Sequence, residues 1–188
     1  AIRGSYPGFL ARPDRWSSWL PGLVARGIAE CKAWKPDLVW STFPIPTAVV
    51  GGRIICRWTG MPWILDLRDS MTEDAYPPDP SLRRLLRNIE SKAVRQARAV
   101  VFTSPGAAEM YARRYPDVPG DRWHCIPNGY DEGHFAGAEM APRRRQPGAD
   151  GRTLLLHSGL LDPVDRDPGA FLGSLADLSA ARVPWLRK

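Results

Sequence analysis

Two short apolar runs in this chain fail to alternate, and each breaks into polar residues at its C-terminal end. One is Trp63-Ile64-Leu65-Asp66-Leu67-Arg68-Asp69. The other is Ala99-Val100-Val101-Phe102-Thr103-Ser104-Pro105-Gly106. A strand with one wet face alternates apolar and polar side chains. An unbroken β-rich run reads as a strand buried on both faces, the mark of a parallel sheet. In open parallel sheets, ligands sit in the crevice beyond the carboxyl ends of the strands. Arg68, Asp69, Thr103 and Ser104 therefore fall where function is expected.

The rest of the chain supplies the helices and strands such a sheet needs. Leu23, Ile28, Cys31 and Trp34 predict a helix that Pro36 ends. Asp37–Thr42 reads as a strand, and Thr47–Trp58 as a helix closed by Gly60. A polar loop runs from Asp69 to Pro80, a length that in compact domains often serves function. Asp79 and Pro80 then open a helix whose Leu82, Leu85, Leu86, Ile89, Ala93 and Ala97 mark one face. Arg84, Arg87, Lys92, Arg95 and Arg98 lie off that face and read as solvated, or as a surface for an acidic partner. Pro105–Arg114 is a predicted helix and Trp123–Ile126 a short strand, followed by Pro127-Asn128-Gly129-Tyr130-Asp131. Residues 136–150 are rich in Pro, Gly and Arg and read as a linker. Thr153–His157 starts a new strand, and Asp167 or Pro168 a helix. This β–α alternation implies right-handed crossovers and a doubly wound α/β sheet with flanking helices.

Composition narrows the function classes. The formal net charge is +6 over 188 residues, which fits an anionic partner or, equally, an Arg-rich codon bias. Cys31, Cys56 and Cys125 form no C-x-x-C pair and no disulfide framework. They favour a reducing, cytosolic setting and read as buried thiols. The most apolar stretch, residues 46–67, is broken by Gly51, Gly52, Arg53, Arg57 and Pro62, so it does not span a membrane. There is no phosphate loop, dinucleotide fingerprint or nucleophile elbow. His124, His134 and His157 lack metal-ligand spacing and read as structural. No nucleic-acid-binding module is recognisable. The chain opens on Ala1 and stops within an apolar run, Val183-Pro184-Trp185-Leu186, as a fragment would.

Five segments, in this order, carry a resemblance: Pro36-Asp37-Leu38-Val39-Trp40-Ser41, Pro62–Asp69, the helix bearing Glu90, Ala99–Gly106, and Ile126–Asp131. Together they resemble the N-terminal domain of family-four glycosyltransferases of the GT-B fold. Leu154-Leu155-Leu156-His157-Ser158-Gly159-Leu160 is similar to the first strand and glycine turn of the C-terminal, donor-binding domain. The resemblance implies two Rossmann-like domains. Residues 1–140 would be part of the acceptor-side domain, 141–152 a linker, and 153–188 the first βα unit of the nucleotide-sugar domain. It also implies retaining transfer of a sugar from a nucleotide-sugar donor to a polysaccharide or glycolipid acceptor, by a cytosolic or membrane-peripheral protein. No metal or other cofactor is expected, because helix dipoles and basic side chains can carry phosphate charge.

The same resemblance marks site residues. Arg68 and Asp69 stand where many members carry a His-Asp pair. A guanidinium cannot act as a base near neutral pH but can pair with a diphosphate or carboxylate. Asp69 could accept a hydrogen bond from an acceptor hydroxyl, and a loop ion pair between the two is the competing reading. Thr103, Ser104 and Gly106 open a helix whose N-terminus suits an anion or polar ligand, or need only cap it. Asn128 marks the crossing between domains, or a plain Asn-Gly turn. Gly159 resembles the glycine that lets the donor diphosphate approach the backbone. Leu160 stands in place of the usual Arg, and Arg166 is the candidate donor-binding cation. The family's glycine-rich N-terminal loop and its C-terminal pair of glutamates have no counterpart here, so the 188-residue chain alone is expected to be inactive. Two other classes fit: a non-enzymatic module that binds an anionic surface or partner, and another nucleotide-sugar enzyme such as an epimerase.

Overall fold

The structure, a computed structural model, describes residues 12–134, 156–159, 161 and 167–181. The chain divides into two compact units, residues 1–130 and 131–188. In the first, α1 (Leu20–Trp34) leads to β1 (Val39–Phe43). Then α2 (Pro46–Thr59), β2 (Trp63–Leu67), α3 (Pro80–Gln96), β3 (Ala99–Phe102), α4 (Pro105–Arg114) and β4 (Trp123–Cys125) alternate. The four strands pair in parallel in the order β1-β2-β3-β4. The fold is α/β, a Rossmann-like parallel sheet flanked by helices. Its described strands advance in one direction, so the reversal of order that marks double winding is not seen among them.

Both diagnostic runs are central strands. Four of the five β2 residues and three of the four β3 residues are buried. β1 instead alternates, with Trp40 and Thr42 exposed, and among the described strands it pairs with β2 alone. Phe43, Trp63, Leu65, Leu67, Val100 and Phe102 share one core with Val49, Cys56, Leu86, Val94 and Tyr111 from the helices. The indole of Trp63, 1% exposed, donates from Nε1 to Ser41 Oγ at 2.8 Å. A buried indole N–H needs such a partner, and this one also ties β2 to β1.

Helix boundaries follow local chemistry. Asp79 caps α3 by accepting from Ser81 N at 2.8 Å, with Pro80 in the first turn. α1 ends on Lys35 at φ 51° and α2 on Gly60 at φ 73°. The α2 cap residue, Ile45, has no side-chain acceptor. Asp14 serves from a distance, taking Thr47 N at 2.7 Å and Thr47 Oγ1 at 2.9 Å. Arg12 pairs with Asp79 at 3.2 Å, so residues 12–14 bind both the α2 and the α3 N-terminus. The basic face of α3 is solvated as expected: Arg84, Lys92, Arg95 and Arg98 are exposed, and Arg87 is partly buried. Arg95 makes a two-point contact with Asp117, and Arg87 lies 4.0 Å from Glu90.

In the second unit, α5 (Gly169–Ala180) starts after Pro168, and Asp167 accepts from Gly169 N at 2.8 Å. Its Phe171 and Leu172 are exposed. The linker and most of the strand expected at 153–157 lie outside the described residues. Leu156 and His157 are described and are irregular.

Two outcomes test the packing. A Cβ on Gly52 would sit 2.7 Å from Ser41 Oγ and 3.0 Å from Trp63 Nε1. Gly52→Ala is therefore expected to cost about 1–3 kcal/mol in urea unfolding, the usual price of overpacking. Gly22, in α1, has nothing within 4 Å, and Gly22→Ala is expected to gain about 0.5–1 kcal/mol. A third concerns pH. The hydrogen bonds from the Ser81 backbone and side chain, and then Arg12, hold the Asp79 carboxyl below its usual pKa. A depressed carboxylate stabilises fully above its unfolded value, near 3.9, and loses that contribution as pH falls through its folded value. The Tm gap between the native chain and Asp79→Ala is expected to be open at pH 7 and to close on acidification.

Candidate functional site

Because the strands are parallel, Leu67, Phe102 and Cys125 end side by side in register on one edge. The residues that follow them are therefore neighbours. The ladder runs one step further, with Ile126 N donating to Phe102 O at 2.8 Å. This sets Asn128 beyond β4 and across β3 from Arg68.

Arg68 Nη2 donates to Asn128 Oδ1, bridging the ends of β2 and β4. Between them, the Thr103 hydroxyl donates to the Arg68 carbonyl at 3.0 Å. Three residues singled out separately in the sequence thus form one cluster. The loop ion pair weighed for Arg68 and Asp69 is absent. Asp69 is exposed, and its carboxylate has no hydrogen bond or ion pair among the described residues. Ser104 is the α4 N-cap, accepting from Ala107 N at 3.3 Å. Gly106, in the first turn of α4, is exposed with nothing within 4 Å of a Cβ.

The edge therefore presents a guanidinium, a carboxylate, a hydroxyl and the N-terminus of α4. Helix N–H groups and the guanidinium suit an anion, and the carboxylate suits a hydroxyl donor. Gly159 is described by itself in the second unit at φ 156°, a conformation that L side chains rarely adopt. Arg166 lies outside the described residues.

Sequence reasoning missed the anchorage of this edge. The loop after Asp69 is held by Glu90, which is fully buried. Its carboxylate accepts from Thr72 Oγ1 and Tyr111 OH, each at 2.9 Å, from Tyr115 OH at 2.6 Å and from Arg114 Nη1 at 2.9 Å. Burial first, and then the Glu90 charge, push the Tyr111 hydroxyl pKa up. Burial and hydrogen bonding to Glu90 do the same for Tyr115. Both therefore stay protonated donors. One signal was present: Glu90 lies four residues after Leu86 and three before Ala93, on the apolar stripe of α3.

Other expectations need correction. Cys31 and Cys56 are buried, but Cys125 is exposed because it ends the short edge strand β4. His124, His134 and His157 are exposed, and His134 Nε2 lies 3.8 Å from Asp131 Oδ2. Among the described residues, no three His, Cys, Asp or Glu side chains converge as a metal site, and no helix is long and apolar enough to cross a membrane. A recess lined by Cys56, Met61, Trp63, Ala97, Arg98 and Arg122 opens beside the amino ends of the strands, at the edge opposite the cluster.

The order of elements and the clustered strand ends define a Rossmann-like α/β domain. The chain belongs to the Glycosyl transferase 4-like domain family, which matches residues 3–129. The match takes in Arg68, Asp69, Thr103, Ser104, Gly106 and Asn128, but not Gly159 or Arg166. No curated protein matches the chain.

The thiols give a direct check on this geometry. Burial, and then Cys31 nearby, push the Cys56 thiol up to about 11. A thiol reagent at pH 8 is expected to label Cys125 rapidly in the folded chain, and Cys31 and Cys56 only on unfolding.

Proposed function

We propose that the intact protein transfers a glycosyl group from a nucleotide-sugar donor to a carbohydrate or lipid-linked acceptor. The carboxyl edge of the sheet would serve the acceptor side. The observation that carries this reading is the meeting of Arg68, Thr103 and Asn128 beside a free Asp69, in a chain of a glycosyltransferase family. In the reaction, the bond between the anomeric carbon and the donor diphosphate breaks, and its electron pair leaves with the nucleoside diphosphate. The acceptor oxygen bonds to the anomeric carbon and gives up its proton. Asp69 can receive the hydrogen bond of that hydroxyl. Arg68 stays cationic throughout and can offset charge on a phosphate, but it cannot take the proton. Thr103 and Asn128 hold Arg68, and Ser104 and Gly106 place the α4 N-terminus where a polar ligand can approach.

In this reading the donor lies against the second unit, with Gly159 and Arg166 as its candidate contacts. The acceptor belongs to surface-polysaccharide or glycolipid assembly, in the cytoplasm or at the membrane surface.

The test is acceptor-dependent release of nucleoside diphosphate by the intact protein from a panel of nucleotide sugars. Asp69→Asn is expected to lower kcat by about 10²–10⁴-fold, the range for a group that handles a proton in the transition state. Arg68→Met is expected to lower kcat/KM by about 10–100-fold, as for a lost charge-assisted hydrogen bond. Full activity in Asp69→Asn would remove Asp69 from the mechanism. Acceptor-independent conversion of the sugar would point to another nucleotide-sugar chemistry.

A further inference from the structure

We infer that Glu90 is a positioning residue that fixes Asp69 by clamping the backbone at Met71–Thr72. The functional meaning of this inference rests on the transferase reading; the clamp itself does not. A carboxylate in the protein interior costs several kcal/mol unless it is paired and fully hydrogen-bonded. One arginine and the tyrosines would meet that need. Here, however, the groups around Glu90 also make second bonds, and these converge on the same two residues. Tyr111 OH donates to Glu90 and accepts from Met71 N at 3.0 Å. Arg114 Nη1 reaches Glu90 at 2.9 Å and also the Thr72 carbonyl at 2.9 Å. The Thr72 hydroxyl donates to Glu90 and receives Arg114 at 3.3 Å. The Met71 and Thr72 side chains are themselves fully buried.

Upstream, the Arg68 carbonyl is held by Thr103. Only Asp69 and Ser70 lie between the two anchors, and so short a span leaves the backbone little room to wander. Downstream, the Arg83 guanidinium donates to the carbonyls of Asp74, Pro77 and Pro78. The loop from Asp69 to Asp79 is therefore a fixed wall rather than a lid. Glu90 holds it without facing the edge itself.

Tyr115 supplies the internal control. It donates to Glu90 at 2.6 Å, as Tyr111 does at 2.9 Å, but makes no hydrogen bond to the loop among the described residues. Hydrogen exchange on the full chain compares Tyr111→Phe with Tyr115→Phe. Each removes one hydroxyl from the same carboxylate. Tyr111→Phe is expected to speed exchange across residues 70–73 by roughly tenfold or more, as for a lost partner of a buried N–H. Exchange in β2 and β3 should hardly change, and Tyr115→Phe should leave the loop protected. Glu90→Gln should match Tyr111→Phe in the loop; should it not fold, the tyrosine pair still decides. In the intact protein, Tyr111→Phe is expected to lower kcat with KM little changed, while Tyr115→Phe keeps both. Equal loop exchange in the two tyrosine variants, or sheet exchange rising in step with the loop, would overturn the inference and leave Glu90 a stabilising residue only. A kcat loss in Tyr115→Phe as large as in Tyr111→Phe would do the same. The expected exchange pattern together with full activity in Asp69→Asn would keep the clamp and sink the transferase role of Asp69.

Discussion

A parallel sheet gathers the ends of all its strands on one edge, and that constraint organises everything else in this unit. The hydrogen-bond register sets Leu67, Phe102 and Cys125 side by side. Residues far apart in sequence, Arg68, Thr103 and Asn128, then need only short reaches to meet. The helices make the register possible by burying one face of the sheet. Their own N-termini point back toward the same edge, because each crossover starts where a strand ends. Asp14, Asp79 and Ser104 show how those N-termini are satisfied. Two take carboxylates from the chain itself, and α4 takes only a hydroxyl. The α4 terminus keeps more of its capacity for an outside ligand, and it is the one beside Thr103.

The edge would be of little use without stiffness behind it. β2 ends in a loop of eleven residues before α3 caps at Asp79, and a loop of that length is ordinarily mobile. Here buried polar chemistry replaces the missing secondary structure. Glu90 and Arg114 bring two charges into the interior, which an apolar pair of similar volume would do without at equal or better stability. What an apolar pair cannot do is bond to Thr72 O, or hold the Tyr111 hydroxyl that accepts from Met71 N. Those backbone groups are buried and would otherwise lack partners, at about 1–3 kcal/mol each. The cost of burying the ions is offset where the loop's backbone is satisfied, and the loop gains a single conformation.

The fold was legible because the signals were local and redundant. β2, α4 and the cap of α3 fall where apolar runs, Pro at the first turn and Asp79 put them. The exposed side of β1 was not legible, because Asp37–Thr42 looks much like the buried runs and only the structure shows Trp40 and Thr42 exposed. The site was legible as a set of positions, since strand ends can be read from the points where apolar runs stop. Its bonds were not. Arg68 turns to Asn128 rather than to adjacent Asp69, a choice set by the β2–β3–β4 register, and Asp14 caps a helix 33 residues away. Cys125 looked as buried as any cysteine until β4 proved to be a short edge strand. Glu90 was visible as a charge on an apolar stripe, but its meaning lies in partners on another helix and a loop.

Arg68 has a consequence for how such an edge can work. A histidine at that position could hold or release a proton near neutral pH, whereas a guanidinium cannot. In the proposed transfer, the proton leaving an acceptor hydroxyl would pass to Asp69 or to the departing diphosphate. Asp69 then has to stand at the right place before the acceptor arrives, because it is exposed and water competes for it. Ordering a free loop on binding would cost roughly 1–2 kcal/mol for each residue fixed. A loop already fixed by Glu90, Thr103 and Arg83 avoids that cost, and the acceptor's binding energy remains for orientation. A guanidinium rather than a titrating side chain at the edge would thus make the rigidity behind it more valuable in the proposed transfer.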